Sequence, residues 1–212
     1  KIYKTKKCQY LKGQSTFALG IITGNNKKLI SGKKNSMNEK ILKGTDIDKY
    51  KIKDSDRYVV FCPESFQQSA PEKYYRASEK LLYRFISDRL VFAYDNEQRL
   101  SLNSCNILIP NIPGMDIKYI LAVLNSSVAQ FVYSRRFHSV KVLKSHLEQL
   151  PIPEASKEEQ AVIAAAALRL ICLDKRLRPE QWQQLYLYLD KQIASLYGLS
   201  EEEYERICLG VM

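Results

Sequence analysis

The 212 residues are 45% hydrophobic and 26% charged, with a formal net charge of +10, the balance of a soluble globular chain rather than a fibrous or disordered one. No run approaches the roughly 18 apolar residues that span a bilayer and no signal-peptide pattern is present, so the expectation is a cytoplasmic protein with no membrane role. Cys8, Cys62, Cys105, Cys172 and Cys208 are scattered singly with no CxxC pair, which predicts reduced, mostly buried thiols rather than a disulfide framework. The first residue is Lys1 rather than methionine, and the chain reads as a piece of a longer protein.

In chain order, Phe17–Ile22 predicts a strand that ends in the turn signal Thr23-Gly24-Asn25-Asn26. The β-branched and aromatic run Arg57–Cys62 predicts another, stopped by Pro63. PEKYYRASEK predicts a short helix with Pro71 near its start. LLYRFI, LVFAYD and CNILIP predict three strands, with a tight turn and one more short strand inside DNEQRLSLNS. Ile117, Ile120, Leu121 and Leu124 fall at i, i+3, i+4 and i+7 of a helix over 116–124. Ser126 then caps a second helix through Val128, Phe131 and Val132.

HLEQLPIPEASKEEQ marks a joint. Pro151 and Pro153 stiffen the backbone, and Ser156 with Glu159 has the capping-box form of a helix start. Beyond it the pattern is purely helical. One helix covers 157–175, and a second starts at Pro179 and runs to Leu196 with Leu185, Leu189 and Ile193 as its apolar stripe. A last short helix is capped by Ser200 and Glu203. The chain therefore reads as α+β: a mixed, twisted sheet or partial barrel with short helices over 1–150, then a helical hairpin over 151–212. Charge follows the same division. Residues 1–57 carry a net +10 and residues 147–212 a net −4, which points to a polyanion-binding face on the first part.

Several chemistries lack their signatures. The turn at Gly24 has no GxxxxGK[ST] spacing, and His146-Leu147-Glu148 has no PCxxC to complete a zinc deaminase. Two histidines and unclustered cysteines argue against a metal site, and there is no GxSxG elbow. No paired carboxylates and lysine of a metal-dependent nuclease, no Asn-Pro-Pro-aromatic tetrapeptide and no glycine-rich S-adenosylmethionine loop occur. The chain reads as non-catalytic on its own. A small nuclease is the remote alternative, predicting divalent-dependent cleavage.

The polar positions that remain suit nucleic acid. Thr23, Asn25, Asn26, Lys27 and Lys28 put a hydroxyl, two amides and two cations on one turn, followed by Lys33, Lys34 and Lys43. Asparagine can pair bidentately with adenine, and lysine can reach guanine or phosphate. A plain solvated turn is the competing reading. Arg84 and Arg89 have the fork geometry for guanine or phosphate, or pair internally with Asp88 or Asp95. Asn103 lies in the Leu-Asn-Ser turn. Arg135, Arg136, His138, Lys141 and Lys144 form a basic run at a helix end, either a phosphate contact or a solvated face. Among the 14 tyrosines, most belong in half-buried positions and one or two could meet sugar or base.

Four stretches in order carry a family resemblance: GIITGNNKKLI; EKILKGTDIDKY; EKLLYRFISDRLVFAYDNEQRLSLNSCNILIP; and IKYILAVLNSSVAQFVY through HLEQLPIP. The chain resembles the TaqI-like C-terminal specificity domain, the target-recognition part of bacterial DNA methyltransferases and fused restriction–modification enzymes, type II enzymes among them. LPIP with its following helix, and ASLYGLSEEEYERI, are also similar to the spacer helices of type I specificity subunits. The resemblance implies sequence-specific binding of double-stranded DNA, with no cofactor in this piece. It implies a parent adenine-N6 methyltransferase or fused enzyme that binds S-adenosylmethionine in its own catalytic part. The partners would be DNA and a methyltransferase domain or subunit of the same system. The alternative function is a docking module whose Leu185/Leu189/Ile193 stripe holds a partner subunit.

Overall fold

A computed structural model describes residues 2–3 and 7–211. The strands and helices in chain order are β1 (Cys8–Gln9), β2 (Ser15–Ala18), α1 (Asn26–Leu29), β3 (Ile30–Ser31), β4 (Glu39–Leu42), β5 (Ile47–Asp48), β6 (Lys51–Ile52) and β7 (Tyr58–Val59). Then come α2 (Glu72–Tyr75), β8 (Lys80–Arg84), β9 (Phe92–Asp95), β10 (Leu100–Ser101), β11 (Cys105–Pro110), α3 (Ile117–Asn125), α4 (Ser127–Arg136) and α5 (Lys144–Leu147). Beyond them lie β12 (Ile152–Pro153), α6 (Lys157–Cys172), α7 (Pro179–Leu196) and α8 (Glu201–Leu209). One four-stranded sheet, β2-β11-β8-β9, is antiparallel throughout. The other, β10-β4-β7-β3, is mixed, because β10 runs parallel to β4. The fold is α+β, as the sequence predicts, with open sheets rather than a closed barrel.

Helix ends sit where short polar side chains can satisfy free backbone donors. The Asp116 carboxylate accepts from Lys118 N at 2.6 Å to start α3, and Ser126 Oγ accepts from Ala129 N at 3.1 Å to start α4. Both capping boxes read from sequence, Ser156/Glu159 and Ser200/Glu203, form in both directions. Asn125 does more than break a helix. Fully buried, its carboxamide accepts from Phe92 N and donates to Phe92 O, each at 3.0 Å, and so pins the end of α3 to the start of β9.

The Pro-Ile-Pro joint is itself a strand. β12 pairs antiparallel with β1 across most of the chain, and Tyr119 and Tyr197 donate their hydroxyls to Pro153 O and Pro151 O, both at 2.6 Å. One hydrophobic core runs from Leu81 and Phe92 of the sheet through α3 into Ile163, Ala167, Leu189 and Ile193 of the hairpin. A second lies between the two sheets, around Ile21, Ile41, Leu82, Leu100 and Ile107. The Leu185/Leu189/Ile193 stripe therefore faces inward. Leu189 and Ile193 are buried in the protein's own core and Leu185 packs against it, so this stripe is no docking surface. Burial of the cysteines is also narrower than composition suggests, since only Cys105 is fully buried and Cys62 and Cys172 are exposed.

Candidate nucleic-acid interface

In the antiparallel sheet β2 and β8 leave, and β9 and β11 enter, at one end. At that end the 102–104 turn receives two other segments at very close range. An added Cβ on Gly20 would lie 2.1 Å from Leu102 O, and one on Gly44 would lie 2.5 Å from Ser104 O. Backbone bonds lock the approach: Ile21 N donates to Ser101 O at 2.7 Å, Asn103 N to Ile21 O at 3.1 Å and Leu102 N to Leu42 O at 2.7 Å. Ser104 Oγ accepts from Gly44 N at 3.0 Å. Thus GIITGNN, ILKGTDI and LSLNSC, far apart in sequence, meet around three residues. The two glycines are required because only a hydrogen fits against the neighbouring carbonyl.

Next to this junction Thr23, Asn25, Asn26, Lys27 and Asn103 line a shallow polar pocket of about 420 Å³, joined by Gln67 from the 66–70 loop. That loop is held in place by a two-way backbone pair, Ile22 N to Gln68 O at 2.8 Å and Gln68 N to Ile22 O at 3.0 Å. Thr23 is buried and donates its hydroxyl to Asn26 Oδ1 at 2.5 Å. Asn25 Oδ1 accepts from Lys28 N at 3.1 Å and caps α1. Lys27, Lys28, Lys33 and Lys34 are exposed. Lys43 is half-buried beside the junction, its backbone N donating to Asp46 Oδ2 at 2.8 Å. The sequence reading missed Gln67, because SFQQSA has no periodicity or motif that distinguishes it.

The second basic group divides. The 139–142 segment runs beside the 85–91 loop at the same sheet end, with Ser87 N donating to Val140 O at 3.0 Å and Val142 N to Phe85 O at 2.8 Å. This places exposed Lys141 close to that end, with exposed His138 just before the segment. Arg135 and Arg136 instead lie over Phe131 and over Tyr3 and Phe137, lining an apolar groove against Leu199 and Ile207. Lys144 pairs with Glu148 at 3.7 Å and lies over the Phe17 ring. His146 stacks on Phe137 at 4.2 Å, and burial lowers its pKa.

Arg84 requires correction. Its Nε donates to Ile47 O at 2.7 Å and its guanidinium pairs with Asp48 at 2.8 Å. The fork is occupied, and by Asp48 rather than by Asp88 or Asp95. Arg89 is exposed on the 85–91 loop and close enough to Lys49 for its charge to oppose protonation there. The tyrosines flanking basic runs divide, with Tyr58 and Tyr74 half-buried. Tyr50, Tyr75 and Tyr83 are buried, while Tyr3 and Tyr10 are exposed. Among the described residues no cluster of three or more His, Cys, Asp or Glu could hold a metal ion, and no helix is long and apolar enough to cross a membrane.

Among solved structures, the chain is similar to the type IIL restriction–modification enzyme MmeI in complex with DNA, with a TM-score of 0.62 and 12% identity over 96% of this chain. It is also similar to a component of a type I restriction–modification assembly, at TM-score 0.52 and 16% identity over 90% of this chain. The HsdS subunit from Thermoanaerobacter tengcongensis matches at TM-score 0.50 and 15% identity, again over 90%. At these identities the likeness is one of fold. The chain spans 37%, 45% and 44% of those three chains respectively. No curated protein matches it. The family description "TaqI-like C-terminal specificity domain" matches residues 39–152, more than half of the chain and three of the four stretches singled out above. The chain belongs to the TaqI-like C-terminal specificity domain family.

Proposed function

We propose that this chain reads a specific double-stranded DNA sequence for a bacterial, cytoplasmic restriction–modification methyltransferase. The observation that carries the reading is the convergence of three sequence-distant segments on the 102–104 turn. Beside it lies a polar pocket lined by Lys27, which has no carboxylate partner among the described residues. Lys27, Lys28, Lys33 and Lys34 supply attraction to phosphate that does not depend on sequence, and the pocket's amides read base edges. Residues 1–150 carry the DNA contacts, and the paired β1–β12 joint fixes their angle to the hairpin over 151–212. Methyl transfer, on adenine N6, belongs to a separate domain or subunit that binds S-adenosylmethionine. The DNA complex of the similar MmeI structure supports this reading. The test is binding of the chain to randomised duplexes at two salt concentrations, with the bound molecules sequenced. A recurrent motif that survives the higher salt is expected. Binding without enrichment, fading steeply between about 50 and 200 mM salt, would reduce the role to phosphate attraction.

A second reading, docking on a partner subunit, moves to another face. Val162, Leu168, Leu187 and Tyr188 are exposed on α6 and α7. Shallow pockets at Val162, Gln192 and Ser195 and at Cys172, Gln181 and Gln184 mark the two ends of the groove between these helices. Exposed apolar side chains on two neighbouring helices suit contact with a partner. Leu168→Asp combined with Leu187→Asp would abolish association with a methyltransferase subunit and leave DNA binding unchanged. Retained association would remove this role.

A further inference from the structure

Resting on the DNA-reading role, we infer that Gln67 and Asn103 form the adenine-reading element of this domain. The pocket presents two kinds of amide. The side-chain oxygens of Asn25 and Asn26 are already engaged, by Lys28 N and by the Thr23 hydroxyl. Each of these oxygens spends one of its two lone pairs inside the protein, while both NH2 groups lack a partner among the described residues, so the two residues present mainly donors, and Lys27 beside them adds another. Such a wall matches groups that only accept, phosphate oxygens or the O6 and N7 of guanine. Gln67 and Asn103 line the same pocket and are exposed, and among the described residues neither carboxamide has a protein partner. Each offers one acceptor and one donor side by side, the pattern that meets N6–H and N7 of adenine together in the major groove.

Both amides stand on backbone that is held firmly, as a base reader requires. Asn103 belongs to the turn clamped by Gly20 and Gly44, and its own N–H is bonded to Ile21 O. Gln67 precedes the Ile22–Gln68 pair, and its side chain packs over Gly24, where an added Cβ would lie 3.2 Å from Gln67 Cβ. Gly24 has a φ of +75°, which an L side chain rarely adopts. A larger residue there would be strained and would push the Gln67 amide out of place.

The experiment selects randomised duplexes with the whole chain and with Gln67→Ala, Asn103→Ala and Gln67→Glu. The wild-type motif is expected to contain adenine. Each alanine variant should lose preference at an adenine position by about 5- to 150-fold, the range of one bidentate base contact. Gln67→Glu exchanges the N–H donor for a second acceptor, so its adenine should change to cytosine, whose N4 donates. In the two alanine variants, melting temperature and the slope of affinity against salt should stay at wild-type values, because neither residue is buried or cationic. A wild-type motif without adenine, or an adenine preference unchanged in both alanine variants, overturns this inference and leaves the DNA-reading role standing. A wild-type chain that enriches no motif overturns both.

Discussion

Two sets of cations in this molecule differ in what they face. Arg57, Arg76, Lys80, Arg84 and Arg99, on or beside the sheets, meet carboxylates: Asp46, Glu39, Asp95, Asp48 and Asp95 respectively. Lys27, Lys28, Lys33 and Lys34 meet none among the described residues and are exposed, and Lys27 lines a pocket of amides. The first set holds sheets and loops together, and its field is largely cancelled at short range. The second keeps its charge for something outside the protein. Net charge along the sequence counts both sets equally, and it is the pairing that separates a structural cation from an available one.

The sharpest way to break the first set is at Asp95. Lys80 is fully buried, with its ammonium 2.5 Å from Asp95 and 2.7 Å from Tyr75 O, and Arg99 holds the other carboxylate oxygen at 2.8 Å. Asp95→Asn would leave a buried ammonium without its counter-ion and destabilise the fold by about 3–5 kcal/mol, read from urea unfolding. DNA affinity of the folded fraction should not change. Next in size is Gly20→Ala. Its Cβ would overlap a backbone carbonyl that cannot swing away, so a loss of about 3 kcal/mol is expected, at the upper end for overpacking. Here DNA selectivity should fall as well, because the displaced turn carries Asn103. A Gly20→Ala variant with wild-type selectivity would separate the junction from the reading site.

Why some of this was legible in the sequence and some was not follows from range. Helix starts were readable because a cap needs only residues three apart, as in Ser156/Glu159 and Ser200/Glu203. β8, β9, β10 and β11 were readable from apolar runs and the turns between them. The strand predicted over Phe17–Ile22 is shorter, because after Ala18 the chain turns to meet Leu102 and Gln68 and keeps only isolated bridges. Partners chosen in three dimensions were not readable. Arg84 passes over its neighbour Asp88 for Asp48, 36 positions away, and Gln67 becomes part of a site only because Gln68 pairs with Ile22. The Leu185/Leu189/Ile193 stripe was correctly apolar, but periodicity says that a face is buried without saying against what.

Lys49 stands between the two sets, where body meets hairpin. Its ammonium donates to Asn125 O at 2.7 Å and to the Tyr186 hydroxyl at 2.9 Å. Burial brings its pKa down to about 8, with Arg89 and Lys175 opposing protonation and Asp190 favouring it. Between pH 8 and the ordinary lysine range near 10.5 the unfolded chain holds the extra proton. The contribution of Lys49 should therefore rise with pH across that window and be flat below it, while buried tyrosines such as Tyr50, Tyr83 and Tyr119, whose pKa values burial raises, act in the opposite direction there. The contribution is of order 2 kcal/mol, given about 1.4 kcal/mol per unit of pKa displacement and some relaxation at a half-buried site. Measured against Lys49→Met, which keeps the tyrosine contribution, the wild type should gain stability between pH 7.5 and pH 10 when both are unfolded in urea; an unchanged difference would remove this role.

The smallest effect is the one that bears most directly on the comparison. Replacing Lys27 or Lys33 singly with glutamine removes no internal partner, so stability should change by less than about 0.5 kcal/mol. Each lysine that meets a phosphate contributes about 0.9 to the slope of log affinity against log salt, and each substitution should lower that slope by this amount. Arg84→Gln should do the reverse. It removes the bond to the Ile47 carbonyl and leaves Asp48 with Lys53 alone, and so lowers stability modestly, while the salt slope stays at the wild-type value. If Arg84→Gln reduces the slope as the lysine variants do, an internally paired guanidinium still reaches the DNA, and pairing is no guide to which cations are available. If the lysine variants leave the slope unchanged, the phosphate path lies elsewhere on the sheet end, and Lys141 beside the 85–91 loop becomes the residue that carries it.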